Sequence, residues 1–367
     1  MPPEHDDHLT SGSLRGRGAQ LNPPNRFEPV RLSIDGDYMD SVHAEHPEGV
    51  QARTQVFQDF AKTILNRVDT PDVPMVWTVN PYRGCEHGCI YCYARPTHET
   101  FGLSCGVDFE TKVFAKLEAP ELLRRELNRR SWWGEPIAMS GITDPYQPVE
   151  RELEVTRGCL RVMADARQPV GIITKNRMVT RDIDLLAHLA GYDAASVAIS
   201  LTTLDPVLSQ KMEPRASSPG ARLRAMRELT DAGIPVAVMT APIIPGLNDR
   251  EIPALLEAAA DAGATRAGMV VMRLPWQVKD LFVEWLHREF PDRAKAIVAR
   301  IREVRGGHLT DPRFGTRMTG EGERAEQIRQ IHTVFCRRYG LNVGERTPLS
   351  SAHFRRPELG GQARLFG

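Results

Sequence analysis

Three cysteines, Cys85, Cys89 and Cys92, stand in the spacing C-x3-C-x2-C within the stretch Arg83-Gly84-Cys85-Glu86-His87-Gly88-Cys89-Ile90-Tyr91-Cys92-Tyr93. Gly84 and Gly88, with charged residues between them, make this a loop and not a packed face, so the thiols can close round one metal centre. Thiolates favour soft centres, iron–sulfur clusters among them. A 4Fe–4S cube held by only three cysteines keeps one iron without a protein ligand, and that iron can bind a substrate. Zinc competes for the same donors, because His87 could complete a Cys3His set. The second Cys/His pair of a zinc-finger spacing is not evident farther on.

The elements that must position this loop are legible from Val76 onward. Apolar runs predict strands at 76–79, 136–140, 170–174, 196–201, 236–240 and 269–272, with a small strand or hairpin in 109–116. Helical patterns fall between them at 121–130, 152–166, 181–190, 222–232 and 251–262, and another begins near Lys279. Such alternation predicts an α/β fold, a parallel sheet with helical crossovers. Six strand–helix units are too few for a closed eight-stranded barrel and suit a partial, TIM-like (β/α)6 barrel; a doubly wound sheet is the alternative. In either, ligands gather at the C-terminal ends of the strands. Polar residues stand there: the cysteine loop, then Ser140, Thr143 and Asp144, then Lys175 and Asn176, then Ser200, Thr202 and Thr203, then the run from Thr240 to Asp249. Each could merely cap the next helix; their recurrence at one rim points to a site.

The pattern C-x3-C-x-aromatic-C, with Tyr91 as the aromatic, resembles the signature of radical S-adenosylmethionine (radical SAM) enzymes. The wider stretch, Asn80-Pro81-Tyr82-Arg83-Gly84 through Tyr93-Ala94-Arg95, is similar to the DNA-photolyase-like branch related to spore photoproduct lyase. The resemblance implies a 4Fe–4S cluster on Cys85, Cys89 and Cys92, and S-adenosylmethionine chelated to the open iron and cleaved reductively to a 5'-deoxyadenosyl radical. It also implies the open barrel as the core fold. Lys175, Ser200 and Arg215 match in order a lysine, a serine and an arginine that serve the cofactor in that branch, with Lys175 and Arg215 as partners of its carboxylate and Ser200 of its ribose or carboxylate. Thr143 and Asp144 sit where the family often binds the cofactor's amine, and Tyr91 is placed to cover the adenine. One feature departs from the pattern. The branch carries a hydrogen-donating cysteine before a Thr-Ser-Asp triplet at the end of strand two, whereas this chain reads Ser140-Gly141-Ile142-Thr143-Asp144. Cys105 and Cys159 could replace it only if folding brings them to the rim.

Composition sets the frame. The chain has 367 residues, 41% of them hydrophobic, enough for one catalytic barrel with extensions. The expected organisation is an irregular N-terminal extension over 1–70, a core over 71–280, C-terminal helices over 281–345 and a flexible tail over 346–367. Residues 51–70 read as a short amphipathic helix or a loosely packed arm, and residues 1–50 as a lead-in without chemistry. No apolar run is long enough to span a membrane, and the acidic start is unlike a signal peptide. Six cysteines are too sparse for a disulfide framework, so a reducing cytoplasm is expected. The net charge of zero hides a basic end: residues 300–367 hold 13 arginines against 7 acidic residues. That excess suits phosphate contacts, unless it is a solvated helix face. Arg329, Arg337 and Arg338 are expected to face outward from a helix over 324–339, with Ile328, Ile331, Val334 and Phe335 inward, so that basic residues line the substrate mouth.

The last residues, Gln362-Ala363-Arg364-Leu365-Phe366-Gly367, resemble the short peptide by which bacterial repair and replication enzymes bind the sliding clamp, with Gln362, Leu365 and Phe366 as anchors. The reading is therefore an enzyme that takes an electron from an external one-electron reductant, with DNA or another nucleic acid as the leading substrate class. RNA, a peptide or a small metabolite is the alternative target. A zinc-stabilised nucleic-acid-binding module is the alternative of another class.

Overall fold

The computed structural model describes residues 14–27, 52–72, 75–345 and 347–358. Its strands in chain order are β1 (Gln55–Gln58), β2 (Leu65–Arg67), β3 (Trp77–Val79), β4 (Tyr82–Arg83), β5 (Lys112–Ala115), β6 (Ile137–Met139), β7 (Val170–Thr174), β8 (Ala195–Ser200), β9 (Val236–Ile243) and β10 (Arg266–Val271). All six predicted barrel strands form. β3, β6, β7, β8, β9 and β10 pair in parallel, and β2 adds an antiparallel edge, in the order β10-β9-β8-β7-β6-β3-β2. The six parallel strands thus follow chain order across the sheet. Right-handed crossovers between successive neighbours place every helix on one face, which is the wall of an open barrel. A doubly wound sheet would reverse direction at its first strand, so the alternative architecture is excluded.

The crossover helices Ala119–Leu127, Val155–Ala166, Ile183–Ala190, Pro219–Asp231 and Ile252–Asp261 bury Leu123, Leu160, Leu186, Leu229 and Leu256 against Ile137, Ile172, Val197 and Val238 of the strands. A second apolar cluster joins Ile90 and Tyr91 of the cysteine loop to Met272, Phe282, Trp285 and Ile297. The helices Val278–Glu289 and Ala294–Glu303 therefore pack under the loop as core, as their apolar spacing suggested.

Other expectations are corrected. Residues 52–70, the described part of the segment expected to be a helix or loose arm, form no helix: β1 pairs in parallel with β5, and β2 pairs antiparallel with β3. Phe57 stacks on Phe114 with ring centroids 5.3 Å apart. Ladder partners distant in sequence outweigh a weak helical pattern in so short a segment. In the helix Gly322–Arg338 the buried residues are Ala325, Ile328, His332 and Cys336, whereas Ile331 and Val334 are exposed. Arg337 and Arg338 do point outward, but away from the mouth. Just past them, Asn342 donates its N–H to Thr265 O at 3.0 Å, which puts this helix end at the N-terminal end of β10.

Four arginines of the basic end are neutralised by carboxylates. Arg313 pairs with Asp311, Arg317 with Asp72, Arg324 with Glu303 and Arg329 with Glu326. Residues 347–358, grouped by sequence with the tail, return to the barrel: Arg355 N–H donates to Ala166 O at 2.9 Å and Arg356 Nη2 to Arg130 O at 3.0 Å.

A buried histidine of the short helical turn Arg95–Phe101 packs against the small sheet β1-β5-β4. His98 Nε2 lies 2.9 Å from Lys112 O, and its ring packs edge-on against Phe109 and Phe114. Burial pushes its pKa down to about 4 from 6.5, so the folded form holds the ring neutral and the unfolded chain takes up the proton first. Stability from this group is complete above pH 6.5 and is lost as pH falls toward 4. Urea denaturation at stepped pH is expected to show a loss of about 3 kcal/mol across that window, absent in a His98→Gln variant; equal slopes in the two proteins would refute it.

Candidate metal centre at the barrel mouth

The cysteine loop follows β3 and β4 and lies at the C-terminal ends of the barrel strands. Its backbone joins neither sheet nor helix, yet Cys85, Cys89, His87 and Ile90 are buried, so its polar groups need partners. Arg95 supplies two of them. The guanidinium is fully buried and donates to Cys89 O at 3.0 Å, Gly88 O at 3.2 Å, Cys105 O at 3.2 Å and Gly106 O at 2.9 Å, while pairing with Glu110. Glu110 in turn accepts from Gly18 N at 3.0 Å and Ala19 N at 2.8 Å. Residues 14–27 thus strap the loop, and a Cβ on Gly18 would overlap the Gly88 carbonyl oxygen. Gly88 itself has φ +65, the left-handed conformation that favours glycine.

On the other side, the segment after the helix Pro206–Met212 braces the loop: Ile90 N donates to Met212 O at 3.0 Å and Arg215 N to His87 O at 3.3 Å. Glu86 is tied down by Arg215 Nη2 at 2.9 Å, Thr54 Oγ1 at 2.6 Å and Val149 N at 2.6 Å. Gln147 accepts from Glu86 N at 2.9 Å and donates to Thr143 Oγ1 at 3.0 Å.

Each site residue expected from sequence can now be placed. Thr143 Oγ1 donates to Gly84 O at 2.7 Å. Asp144 accepts from Thr174 Oγ1 at 2.7 Å and Lys175 N at 2.9 Å, and faces His87 Nδ1 at 3.3 Å. Burial alone would raise the Asp144 pKa, but His87, Thr174 and the Lys175 N–H hold it at about 2. Tyr91 hydrogen-bonds Glu213, and its ring centroid lies 5.8 Å from Lys175 Nζ. Among the described residues, Lys175 Nζ has no hydrogen bond or carboxylate partner. Ser200 is buried at the end of β8, its carbonyl accepting from Arg222 at 3.0 Å. Thr143, Asp144, Lys175, Tyr91 and Ser200 therefore meet around the loop, while Arg215 pairs through Nη2 with Glu86 and keeps its buried Nε without a partner.

Sequence reading missed the groups that hold these in place: Arg95, Glu110, Glu86, His87, Glu213 and Arg222. Arg222 pairs with the buried Glu213. Burial would raise the Glu213 pKa, yet Arg222 and then Lys175 hold it at about 2. Charged residues in loops and helices look like solvated ones in sequence; Glu86 and His87, inside the cysteine stretch, and Arg95, just past it, carried a hint by position alone. Cys105 and Cys159 are both buried, Cys159 in the core of its helix. Gln362, Leu365 and Phe366 lie outside the described residues.

The donor set fits a cluster better than zinc. Burial pushes all three thiols up, and Cys85 is raised further by Asp144, Cys89 and Cys92, so a cationic centre is what would strip their protons. Both ring nitrogens of His87 are engaged, one by Asp144 and one by Asn176 at 3.2 Å, which withholds the fourth zinc ligand. Among the described residues no three His, Cys, Asp or Glu side chains converge on a single-ion site; a cube, whose ligands attach to different irons, does not require that.

An open parallel barrel with three cysteines, two buried and one half-buried, on the loop after its first barrel strand defines a candidate metal centre at the barrel mouth. Residues 79–259 match the model of the Radical SAM superfamily, and the chain belongs to that superfamily. It is thus an enzyme of the radical SAM class, whose membership implies S-adenosylmethionine and a 4Fe–4S cluster. An uncharacterized protein of Mycobacterium tuberculosis is 38% identical over 253 residues, 68% of this chain and 73% of the relative. A Pseudomonas phage M6 protein named radical SAM Nalpha-GlyT isomerase is 25% identical over 234 residues, 62% of this chain and 46% of the relative. A spore photoproduct lyase variant shares the fold, with TM-score 0.53 at 14% identity over 86% of this chain and 87% of the other.

The strap gives a direct prediction. Gly18→Ala forces the extension off Gly88 at a cost of about 1–3 kcal/mol, and anaerobically reconstituted protein should retain less iron per chain than the parent. Undiminished iron with an unchanged melting temperature would show that the close approach is not needed.

Proposed function

We propose that Cys85, Cys89 and Cys92 hold a 4Fe–4S cluster used to cleave S-adenosylmethionine, and that the hydrogen abstraction is directed at nucleic acid, in the manner of a spore-photoproduct-lyase-like DNA-repair lyase. The observation that carries the cofactor reading is the meeting, at one barrel mouth, of the three thiols with the Lys175 ammonium, which forms no hydrogen bond to a described carboxylate. When bound, the cluster supplies one electron that breaks the sulfonium C–S bond, giving methionine and a 5'-deoxyadenosyl radical able to take a hydrogen atom.

The chain's own residues do the positioning. Lys175 offers its charge to the cofactor's carboxylate, and Ser200 its hydroxyl to the ribose or carboxylate. Tyr91, fixed through Glu213, presents its ring as cover for the adenine. Thr143 and Asp144 serve the cofactor's amine while also tying the loop to β7, and Arg215 serves its carboxylate while also holding Glu86. Nucleic acid as target is supported by the shared fold with a spore photoproduct lyase solved with AdoMet and a dinucleoside spore photoproduct. No cysteine stands at the end of β6 to return the hydrogen. An external one-electron reductant, clamp binding through Gln362, Leu365 and Phe366, and a reducing cytoplasm complete the reading. The free state of all six cysteines and the lack, among the described residues, of a helix able to cross a membrane are consistent with it.

Anaerobic purification should give brown protein with about four irons per chain, and dithionite with S-adenosylmethionine should give 5'-deoxyadenosine, more of it when damaged DNA is added. Cys89→Ala should abolish the product. Lys175→Ala should weaken cofactor binding by roughly 10- to 150-fold. Colourless protein containing zinc would instead establish the binding module.

A further inference from the structure

The C-terminal end of β10 leads into Arg273-Leu274-Pro275-Trp276, a loop held from behind by Arg305. That buried guanidinium donates to Val271 O at 2.8 Å, Met272 O at 2.6 Å and Thr316 O at 2.9 Å. The loop is therefore fixed at the barrel mouth, and it carries Arg273 to within 5.5 Å of the ring centroid of Tyr93, the residue after Cys92.

Arg273 differs from the arginines around it. Arg26 is paired with Glu99, Arg317 with Asp72 and Arg313 with Asp311. Among the described residues, Arg273 has as its only hydrogen-bond partner the sulfur of Met318, at 3.7 Å. Burial and then the charge of Arg317 lower its pKa, so the guanidinium is held where a counter-anion would stabilise it. Two solvent-facing rings lie on the same stretch of the mouth: Tyr93, against the Arg273 guanidinium, and Trp276, three residues farther along the loop, are each more than half exposed. Trp276 adopts φ +47, a left-handed backbone that non-glycine residues rarely take, and its indole stays on the surface with the Arg26 guanidinium 4.2 Å from the ring centroid. The nearby carboxylate, Asp72, is hydrogen-bonded to Arg317 and not to Arg273, and a guanidinium without a hydrogen-bonded anion, beside a solvent-facing ring, combines the two elements by which single-stranded nucleic acid is held: a charge for phosphate and a platform for a base.

We propose that Arg273, Tyr93 and Trp276 form a receptor for one nucleotide of single-stranded nucleic acid, the phosphate on Arg273 and the base against the exposed rings, beside the cluster loop. The inference rests on the reading that this enzyme's radical acts on nucleic acid, and it names the residues that present the substrate. An acidic peptide would use the guanidinium but would leave the rings idle.

The test is fluorescence anisotropy of a labelled mixed-sequence single strand of about a dozen nucleotides, titrated with the anaerobically reconstituted full chain at several salt concentrations. Arg273→Gln should weaken binding roughly tenfold and reduce the log–log salt slope by about 1. Trp276→Ala, a change at an exposed ring that leaves the core intact, should weaken it by about 5- to 150-fold with the slope unchanged. Arg338→Gln, at the far end of the barrel, should match the parent. The receptor is overturned if the parent does not bind the strand, if either mouth variant binds as the parent does, if polyglutamate displaces the strand equally well, or if Arg273→Gln loses S-adenosylmethionine binding. Binding that behaves as expected without any strand-dependent increase in 5'-deoxyadenosine would leave the receptor standing and remove the broader reading of the radical's target.

Discussion

Burying a guanidinium beside a carboxylate costs several kcal/mol per ion and is offset only when every remaining hydrogen-bonding group is met. The Arg95–Glu110 pair meets that condition by spending its outward-facing atoms on the cysteine loop and on the extension that crosses it. An irregular loop that must present thiols cannot satisfy its carbonyls through a ladder. A charged pair beneath it does so instead, and fixes the backbone from Gly88 to Gly106 as one unit with residues 18 and 19. Removing either charge would leave its partner buried without compensation, which is why the pair acts as a constraint on geometry more than as a source of stability.

A second buried pair, Glu213 with Arg222, plays a different part. Glu213 also takes the Tyr91 hydroxyl and Thr202, and Arg222 takes the Ser200 carbonyl. Tyr91 and the end of β8 are thereby registered to each other across the mouth. Because Arg222 already neutralises Glu213, Lys175 keeps its charge available toward the open side. The mouth thus holds its own charges balanced in pairs while leaving Lys175 near the thiols and Arg273 at the β10 edge without described carboxylate partners. Ligand anions are the groups such cations can still engage.

The sheet explains why these groups meet at all. Strands that follow chain order, with crossovers on one face, bring the C-terminal end of every strand to the same rim, so residues from Cys85 to Trp276 become neighbours. The basic C-terminal third obeys another logic. Its arginines pair with nearby acids or with backbone carbonyls of the first helices, and the helix Gly322–Arg338 ends at the closed end of the barrel. Net charge in a segment measures composition, whereas the field at a site depends on which charges are already matched.

By itself the sequence determined the thiol spacing, the six barrel strands and the rim on which polar residues would collect, because period-two apolar runs and cysteine spacing are local properties. It also placed Tyr91, Thr143, Asp144, Lys175 and Ser200 at that rim. Only the tertiary structure decided that Arg215 serves Glu86, that residues 55–58 and 65–67 are strands, that Ile331 and Val334 face solvent, and that His87 has no nitrogen left for a metal. Each of these depends on a partner dozens of residues away, and a lone chain position carries no mark of whether its charge or its ladder edge will be met.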